Sequence, residues 1–208
     1  MIMETVAVID FETTGLSPDM GDRATEVAVV LVKNGKIVDR YQSLMNAGVR
    51  IPPFIEELTG ISNSMIRKAP PVAKVMKELA DFVGDVPFLA HNASFDRKFL
   101  DAEWSRIRKQ RQQEFACTML LARRIYKASP NHKLGTLANY LGLPCAGRYH
   151  RAMADVEMTA HLLVTMVSDL EEQYGLSHVP HEFLRSIQKA PKTKIEAYVE
   201  RAKKRLGL

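Results

Sequence analysis

An apolar, β-branched run near the N-terminus stops on two acids, and this feature restricts the fold more than any other. Residues 4–9, the opening of the TVAVID segment, have the pattern of a strand buried on both faces, and Asp10-Phe11-Glu12 closes it. Residues i and i+2 of a strand share a face, so Asp10 and Glu12 project together while Ile9 and Phe11 face the other way. Two carboxylates side by side at the end of an apolar strand repel each other and are costly to bury unpaired. A divalent cation removes both penalties, and hard oxygen ligands of this kind suit Mg²⁺ or Mn²⁺. The plainer alternative is a capped strand end with solvated acids, and Asp-x-Glu by itself favours it. Thr13-Thr14-Gly15 then turns the chain sharply and offers backbone N–H groups and hydroxyls.

The following segments build a mixed sheet with helices. Residues 24–32 and 36–44 read as a hairpin turned by Asn34-Gly35. A short helix begins around Pro52-Pro53 and ends near Gly60. Residues 71–83 carry Val72, Val75, Met76, Leu79, Phe82 and Val83 at helical spacing, and residues 86–90 make a short buried strand. Asn92 or Ser94 can cap the next helix, which bears Phe95, Phe99 and Ala102. Shorter helices are expected near 118–127 and 134–141, and the longest over about 152–173. The order of elements points to an α/β or α+β domain with a mixed sheet. The clearest boundary falls at Tyr174-Gly175, which divides a domain over residues 1–174 from a basic helical extension over 175–208.

Charge is concentrated at the C-terminus. Residues 189–208 hold seven Lys/Arg and two Glu, so the whole excess of +5 sits there and the first 188 residues are balanced. Whole-chain basicity is therefore no argument that the main domain binds nucleic acid. Within the extension, Ile195, Tyr198, Val199, Ala202 and Leu206 form one apolar helix face ringed by cations, suited to docking and to electrostatic help in holding a phosphate backbone. The basic segment Trp104–Phe115 and the pair Arg123-Arg124 read as solvated helix faces. The N-terminus lacks the layout of a secretory signal, and no apolar run approaches the ~20 residues that cross a bilayer. Cys117 and Cys145 form no CxxC pair, which fits reduced thiols in a cytoplasmic protein with no membrane partner.

Two further groups of residues carry chemistry. His91-Asn92-Ala93-Ser94-Phe95-Asp96 follows a buried strand and opens a helix, so Asp96 lies in a first turn where the dipole favours its ionised form. His150-Arg151-Ala152-Met153-Ala154-Asp155 opens the longest helix, with Asp155 at the flank of its apolar stripe. Each group alone reads equally well as capping charge. His132, His161, His178 and His181 read as surface or capping residues, since no Cys/His grouping suggests zinc. Composition leaves His91 and His150 both open as a proton acceptor.

Taken together and in this order, DFETTG, HNASFD and HRAMAD resemble the signatures of the DEDDh exonucleases, with Leu58-Thr59-Gly60-Ile61 and the strand glutamate Glu26 also similar to that pattern. The resemblance covers about residues 4–172. It implies a ribonuclease H-like fold, a mixed five-stranded central sheet flanked by helices, here followed by the C-terminal helical extension. It also implies that Asp10, Glu12, Asp96 and Asp155 bind two Mg²⁺ or Mn²⁺ ions and that His150 takes a proton from the attacking water. The Thr13-Thr14-Gly15-Leu16 turn would hold the terminal nucleotide, Leu58 and Thr59 would lie beside its base, and Asn92 and Phe95 would stand close to the site.

The activity so implied is 3′–5′ exonucleolytic hydrolysis of single-stranded nucleic-acid ends, DNA favoured, releasing nucleoside 5′-monophosphates. Three alternatives stand beside it: a proofreading subunit bound to a DNA polymerase, with the C-terminal helix as the contact; an RNA-processing exoribonuclease; and a non-catalytic module that binds nucleic acid or a partner. Reactions of other classes find no support, because there is no GxGxxG, P-loop or GxSxG motif.

Overall fold

The structure, a computed structural model, describes residues 4–144 and 151–208. Three strands come first: β1 (Val6–Thr13), β2 (Ala24–Lys33) and β3 (Lys36–Leu44). Helices α1 (Pro53–Thr59), α2 (Asn63–Lys68) and α3 (Val72–Val83) lead to β4 (Phe88–Ala90), α4 (Ser94–Arg106) and β5 (Phe115–Cys117). Helices α5 (Thr118–Ile125), α6 (Leu134–Leu141), α7 (Ala152–Tyr174), α8 (His181–Ile187) and α9 (Ile195–Leu206) complete the described chain. The sheet order is β3-β2-β1-β4-β5, with β1, β2 and β3 antiparallel and β1, β4 and β5 parallel. The mixed five-stranded sheet flanked by helices is the fold class read from the sequence.

Local chemistry explains most of these elements. Asn34 (φ 51°) and Gly35 (φ 73°) both take the left-handed region that a two-residue hairpin turn requires. Strand β1 is packed on both faces, which is why it reads as a continuous apolar run. Ala7, Ile9 and Phe11 join Met76 and Leu79 of α3 and Phe99 and Trp104 of α4. Val6 and Val8 join Val156, Leu163, Met166 and Leu170 of α7 on the opposite face. Helices α8 and α9 share that second cluster through Phe183, Leu184, Ile187, Ile195, Val199 and Ala202. Among the described residues no helix is long and apolar enough to cross a membrane.

Four local expectations are corrected. The segment read as a solvated helix around 104–115 leaves the helix at Arg106, loops through Arg108 (φ 57°), and enters β5 at Phe115. Arg111 there pairs with Asp101 at 2.7 Å, and Lys109 lies over the Trp104 ring, so these cations pack locally. Neither Asn92 nor Ser94 caps α4: the cap position is Ala93, without a side-chain bond. Asn92 instead adopts φ 69°, and its Oδ1 accepts the Ser94 hydroxyl at 3.4 Å. His181, read as a surface residue, is buried and its Nε2 bonds to the Phe88 carbonyl at 2.8 Å, which fastens the start of α8 to β4. Arg124 is no free surface cation either: its guanidinium donates to the carbonyls of Ala190 and Leu120.

Candidate active site

Strand alternation, two helix starts and one strand row bring the predicted acids together. Asp10 and Glu12 leave β1 on the face opposite Ile9 and Phe11, and Asp155 meets them from the first turn of α7. Carboxylate oxygens of Asp10, Glu12 and Asp155 lie within 4.8 Å of one another. Asp96, in the first turn of α4, is buried, and its Oδ1 accepts the Phe11 backbone N–H at 3.2 Å. That bond reaches the residue between the two β1 acids.

The electrostatics are those of crowded anions. Desolvation, and then Asp96, Glu12, Asp155 and Glu26 in turn, hold the Asp10 carboxyl well above the usual carboxylate range. Glu12 is pushed up to about 8 by desolvation and by Asp155 and Glu26, with Arg151 opposing. Asp96 is raised to about 7 by burial, against the stabilising N–H groups of its own residue and Phe11. An oxygen-only donor set whose members resist ionising beside one another is what a hard divalent cation relieves. These residues fit such an ion.

Glu26 was noted in the sequence only as part of a pattern, and its contacts give it a positioning role. Its carboxylate is buried, accepts Arg151 Nη2 at 3.1 Å and Gln42 Nε2 at 2.8 Å, and accepts the Ala152 N–H at 3.3 Å. It therefore anchors the start of α7, three residues before Asp155. His150 lies outside the described residues, as does Cys145. His91, the other proton-acceptor candidate, is committed on both sides of its ring. Its Nδ1 meets the Thr118 hydroxyl at 2.9 Å and its Nε2 the His132 carbonyl at 2.9 Å. A carbonyl only accepts, so Nε2 carries the proton. Burial holds His91 down to about 4, with Arg123 nearby opposing its protonation as well.

The Thr13–Leu16 turn is built rigidly. Thr13 Oγ1 donates to the Gly15 carbonyl at 2.6 Å, and the Arg23 N–H donates to Thr14 Oγ1 at 3.0 Å. Asp22 Oδ2 accepts the Ser17 N–H at 2.9 Å, and a Cβ on Gly15 would stand 2.4 Å from Asp22 Oδ1. Behind the turn, Arg23 makes a two-pronged pair with the fully buried Glu103 of α4, at 2.8 and 2.9 Å. Leu16 and Leu58 are 78% and 48% exposed. Thr59 is buried, and its hydroxyl donates to the Ile55 carbonyl and accepts the Ile61 N–H within the α1 region. Asn92 is exposed, and Phe95 is half-buried with its ring against Phe99 at 5.0 Å.

A cleft of about 530 Å³ opens beside the acids, and Asp10, Asp155, His91, Lys133, Thr136 and Asn139 are among its lining residues. The sequence reading missed these last three. Their signal is weak: Lys133 precedes the eight-residue helix α6, and two polar residues on so short a helix carry no spacing that marks a ligand.

Comparison with known proteins agrees with this geometry. Residues 7–163 match the exonuclease family RNase_T. A DNA polymerase III PolC-type from Bacillus cereus is 38% identical over 171 residues, which is 82% of this chain and 12% of that protein. The chain thus spans about 12% of the length of the curated relatives it matches. Among solved structures, Exonuclease X in complex with 5′ overhanging duplex DNA is similar with TM-score 0.66 and 29% identity, covering 83% of this chain and 95% of that one. The nuclease domain of 3′hExo, a DEDDh family member bound to rAMP, has TM-score 0.69 at 23% identity, over 80% and 93% of the two chains, a likeness of fold. The chain belongs to the RNase_T exonuclease family, and its fold is the ribonuclease H-like one of these solved exonucleases.

Proposed function

We propose that this domain is a metal-dependent 3′–5′ exonuclease that hydrolyses terminal phosphodiester bonds of single-stranded nucleic acid, DNA favoured, and releases nucleoside 5′-monophosphates. The observation that carries the reading is the convergence of Asp10, Glu12 and Asp155 within 4.8 Å, with Asp96 fastened to the same strand. Asp10, Glu12, Asp96 and Asp155 would hold two Mg²⁺ or Mn²⁺ ions, which when bound supply charge for the phosphate and acidify a nucleophilic water.

The remaining roles fall to the chain itself. His150, ordinarily titrating near ~6.5, is suited to accept the water's proton at neutral pH. The two bonds that occupy the His91 ring support this assignment by removing its rival. The Thr13–Leu16 turn receives the terminal nucleotide, with exposed Leu16 and Leu58 offering apolar surface to its base. Asn92, Phe95 and Thr59 border that place, Thr59 by holding the end of α1 rather than by a free hydroxyl. Lys133, which lines the same cleft as Asp10 and Asp155, would meet the backbone phosphates.

Similarity to PolC-type polymerases over this segment supports a proofreading context, and it supports DNA over RNA. Residues 1–174 would then be the catalytic domain and 175–208 its basic extension, available to a polymerase or another protein. A 5′-labelled panel of single-stranded DNA, duplex DNA and RNA tests the reading. A ladder that shortens from the 3′ end, requires Mg²⁺ and is lost in Asp10→Ala is the expected result. Internal cuts, or equal activity in Asp10→Ala, would remove it. Retention of a polymerase by the tagged chain would mark the proofreading context.

A further inference from the structure

Residues 189–208, which are α9 with the segments on either side of it, carry the protein's entire excess charge. The apolar face of α9 is turned inward: Ile195, Val199 and Ala202 are buried in the core shared with α7. No apolar stripe is left for a bilayer, and the cations remain outside. Between α8 and α9 lies a cleft of about 320 Å³ whose rim includes Arg185, Lys189, Arg201 and Arg205. Three acids of this surface are already matched, Glu114 with Arg185, Glu182 with Arg205 and Glu200 with Lys203. Among the described residues, Lys189, Lys192, Lys194, Arg201 and Lys204 have no carboxylate partner, and Arg201 lies over the Tyr198 ring at 5.3 Å. A patch of unmatched cations on α9 and on the segment that leads into it, with the helix already docked to its own domain, is built for a polyanion.

Its position says which one. Strands β1, β4 and β5 are parallel and in register, with Val8 opposite Leu89 and Leu89 opposite Ala116. Just past these pairs the chain brings Asp10, His91 and Thr118 to the same end of the sheet, with Asp10 and His91 lining one cleft. His91 and Thr118 are bonded there, as described above. One residue before Thr118, the Cys117 N–H donates to Gln188 Oε1 at 2.7 Å, and Lys189 follows. With strands ~4.8 Å apart, β5 lies about 10 Å from β1, and Lys189 borders the next layer. Lys189 therefore stands at the end of the sheet that carries the acidic cleft, and Arg205, bonded to Ser186 and Glu182, continues the basic surface away from it along α8.

We propose that the α8–α9 surface, entered at Lys189, is a second binding site for the phosphodiester backbone of the single strand whose 3′ end occupies the carboxylate cleft. The identity of the polyanion rests on the exonuclease reading; the existence of the site rests on the charges. It holds the strand upstream of the cut without contacting bases, so it adds affinity to long strands and nothing to dinucleotides.

The test is anisotropy of a labelled 20-nucleotide single strand in EDTA, across a salt series. Lys189→Gln/Lys192→Gln/Arg201→Gln should weaken binding about tenfold and flatten the slope of log affinity against log salt by about 2, since each phosphate contact contributes ~0.7. The charge-keeping variant Lys189→Arg/Lys192→Arg/Arg201→Lys should bind like the wild type, as should Lys33→Gln/Lys36→Gln on the distant hairpin. Affinity and slope unchanged in the neutral triple variant would overturn the site, as would equal losses in the charge-keeping variant. The two readings fail separately: a wild type without metal-dependent hydrolysis removes the exonuclease reading and leaves the binding contrast intact.

Discussion

The carboxylate of Asp96 accepts the backbone N–H of Phe11 at 3.2 Å, which ties the first turn of α4 to the strand bearing Asp10 and Glu12. One acid thus serves the scaffold and the site together. Replacing it separates these duties. Asp96→Asn keeps an oxygen for the Phe11 N–H and loses the charge, so hydrolysis should fall at least ~10²-fold. The metal-free protein should melt no lower at pH 8, because a crowded anion has gone. Asp96→Ala should lose activity to a similar degree and also melt lower, since the Phe11 N–H is left without its partner. Thermal melting beside a turnover assay separates the two variants.

Stability without metal should fall as pH rises. Glu12 and Asp96 ionise at about 8 and about 7 in the folded chain. Unfolded carboxylates titrate near ~4. Between those limits the folded state binds more protons than the unfolded, so stability declines through the window as pH increases. In EDTA the melting temperature should drop from about pH 7 to about pH 9, above the range where the depressed histidines His91 and His181 impose the opposite trend. Mn²⁺ should restore more at the higher pH. A flat profile, with no larger rescue at pH 9, would contradict the crowding.

His91 and His150 should fail differently. His91→Ala breaks the link from β4 to Thr118 and to the His132 carbonyl, so it should destabilise by roughly 1–3 kcal/mol. Loss of general-base action in His150→Ala should cut turnover by ~10²–10⁴ with binding retained. Near-normal turnover in His150→Ala, with loss in His91→Ala at full stability, would reverse the roles.

Glu26 and Gly15 test the supports of the site. Glu26→Ala leaves Arg151 and the Ala152 N–H without their acceptor in a buried position, a loss of about 3 kcal/mol and of activity through a displaced Asp155. Glu26→Gln, which keeps an acceptor, should recover most of the stability. Gly15→Ala would drive a methyl into Asp22, which holds Ser17, so it should raise KM for the strand while leaving the core intact. Calorimetry and steady-state kinetics on the same preparations check both.

Much of this was legible in the sequence because the relevant patterns are local. Alternation along β1 put Asp10 and Glu12 on one face and Ile9 and Phe11 in the core. Asn34-Gly35 marked its turn by conformational need alone. What escaped reading depends on distant neighbours. Strand β5 is three residues long and is defined by pairing with β4, whereas the basic run before it imitates a helix. Helix α2, six residues capped by Ser62, carries too short an apolar pattern to announce itself. His181 looks like a surface residue until α8 folds back to put it under the Phe88 carbonyl. The Arg23–Glu103 pair joins residues 80 apart, and no spacing rule finds such a pair.

The most direct test of metal-dependent exonuclease action is the rate of mononucleotide release from the 3′ end of single-stranded DNA, measured against Mg²⁺ concentration for the wild type and Asp10→Ala. Saturable, Mg²⁺-dependent release is expected in the wild type, with a loss of at least ~10²-fold in Asp10→Ala. Release that persists in EDTA, or proceeds equally in Asp10→Ala, would contradict it.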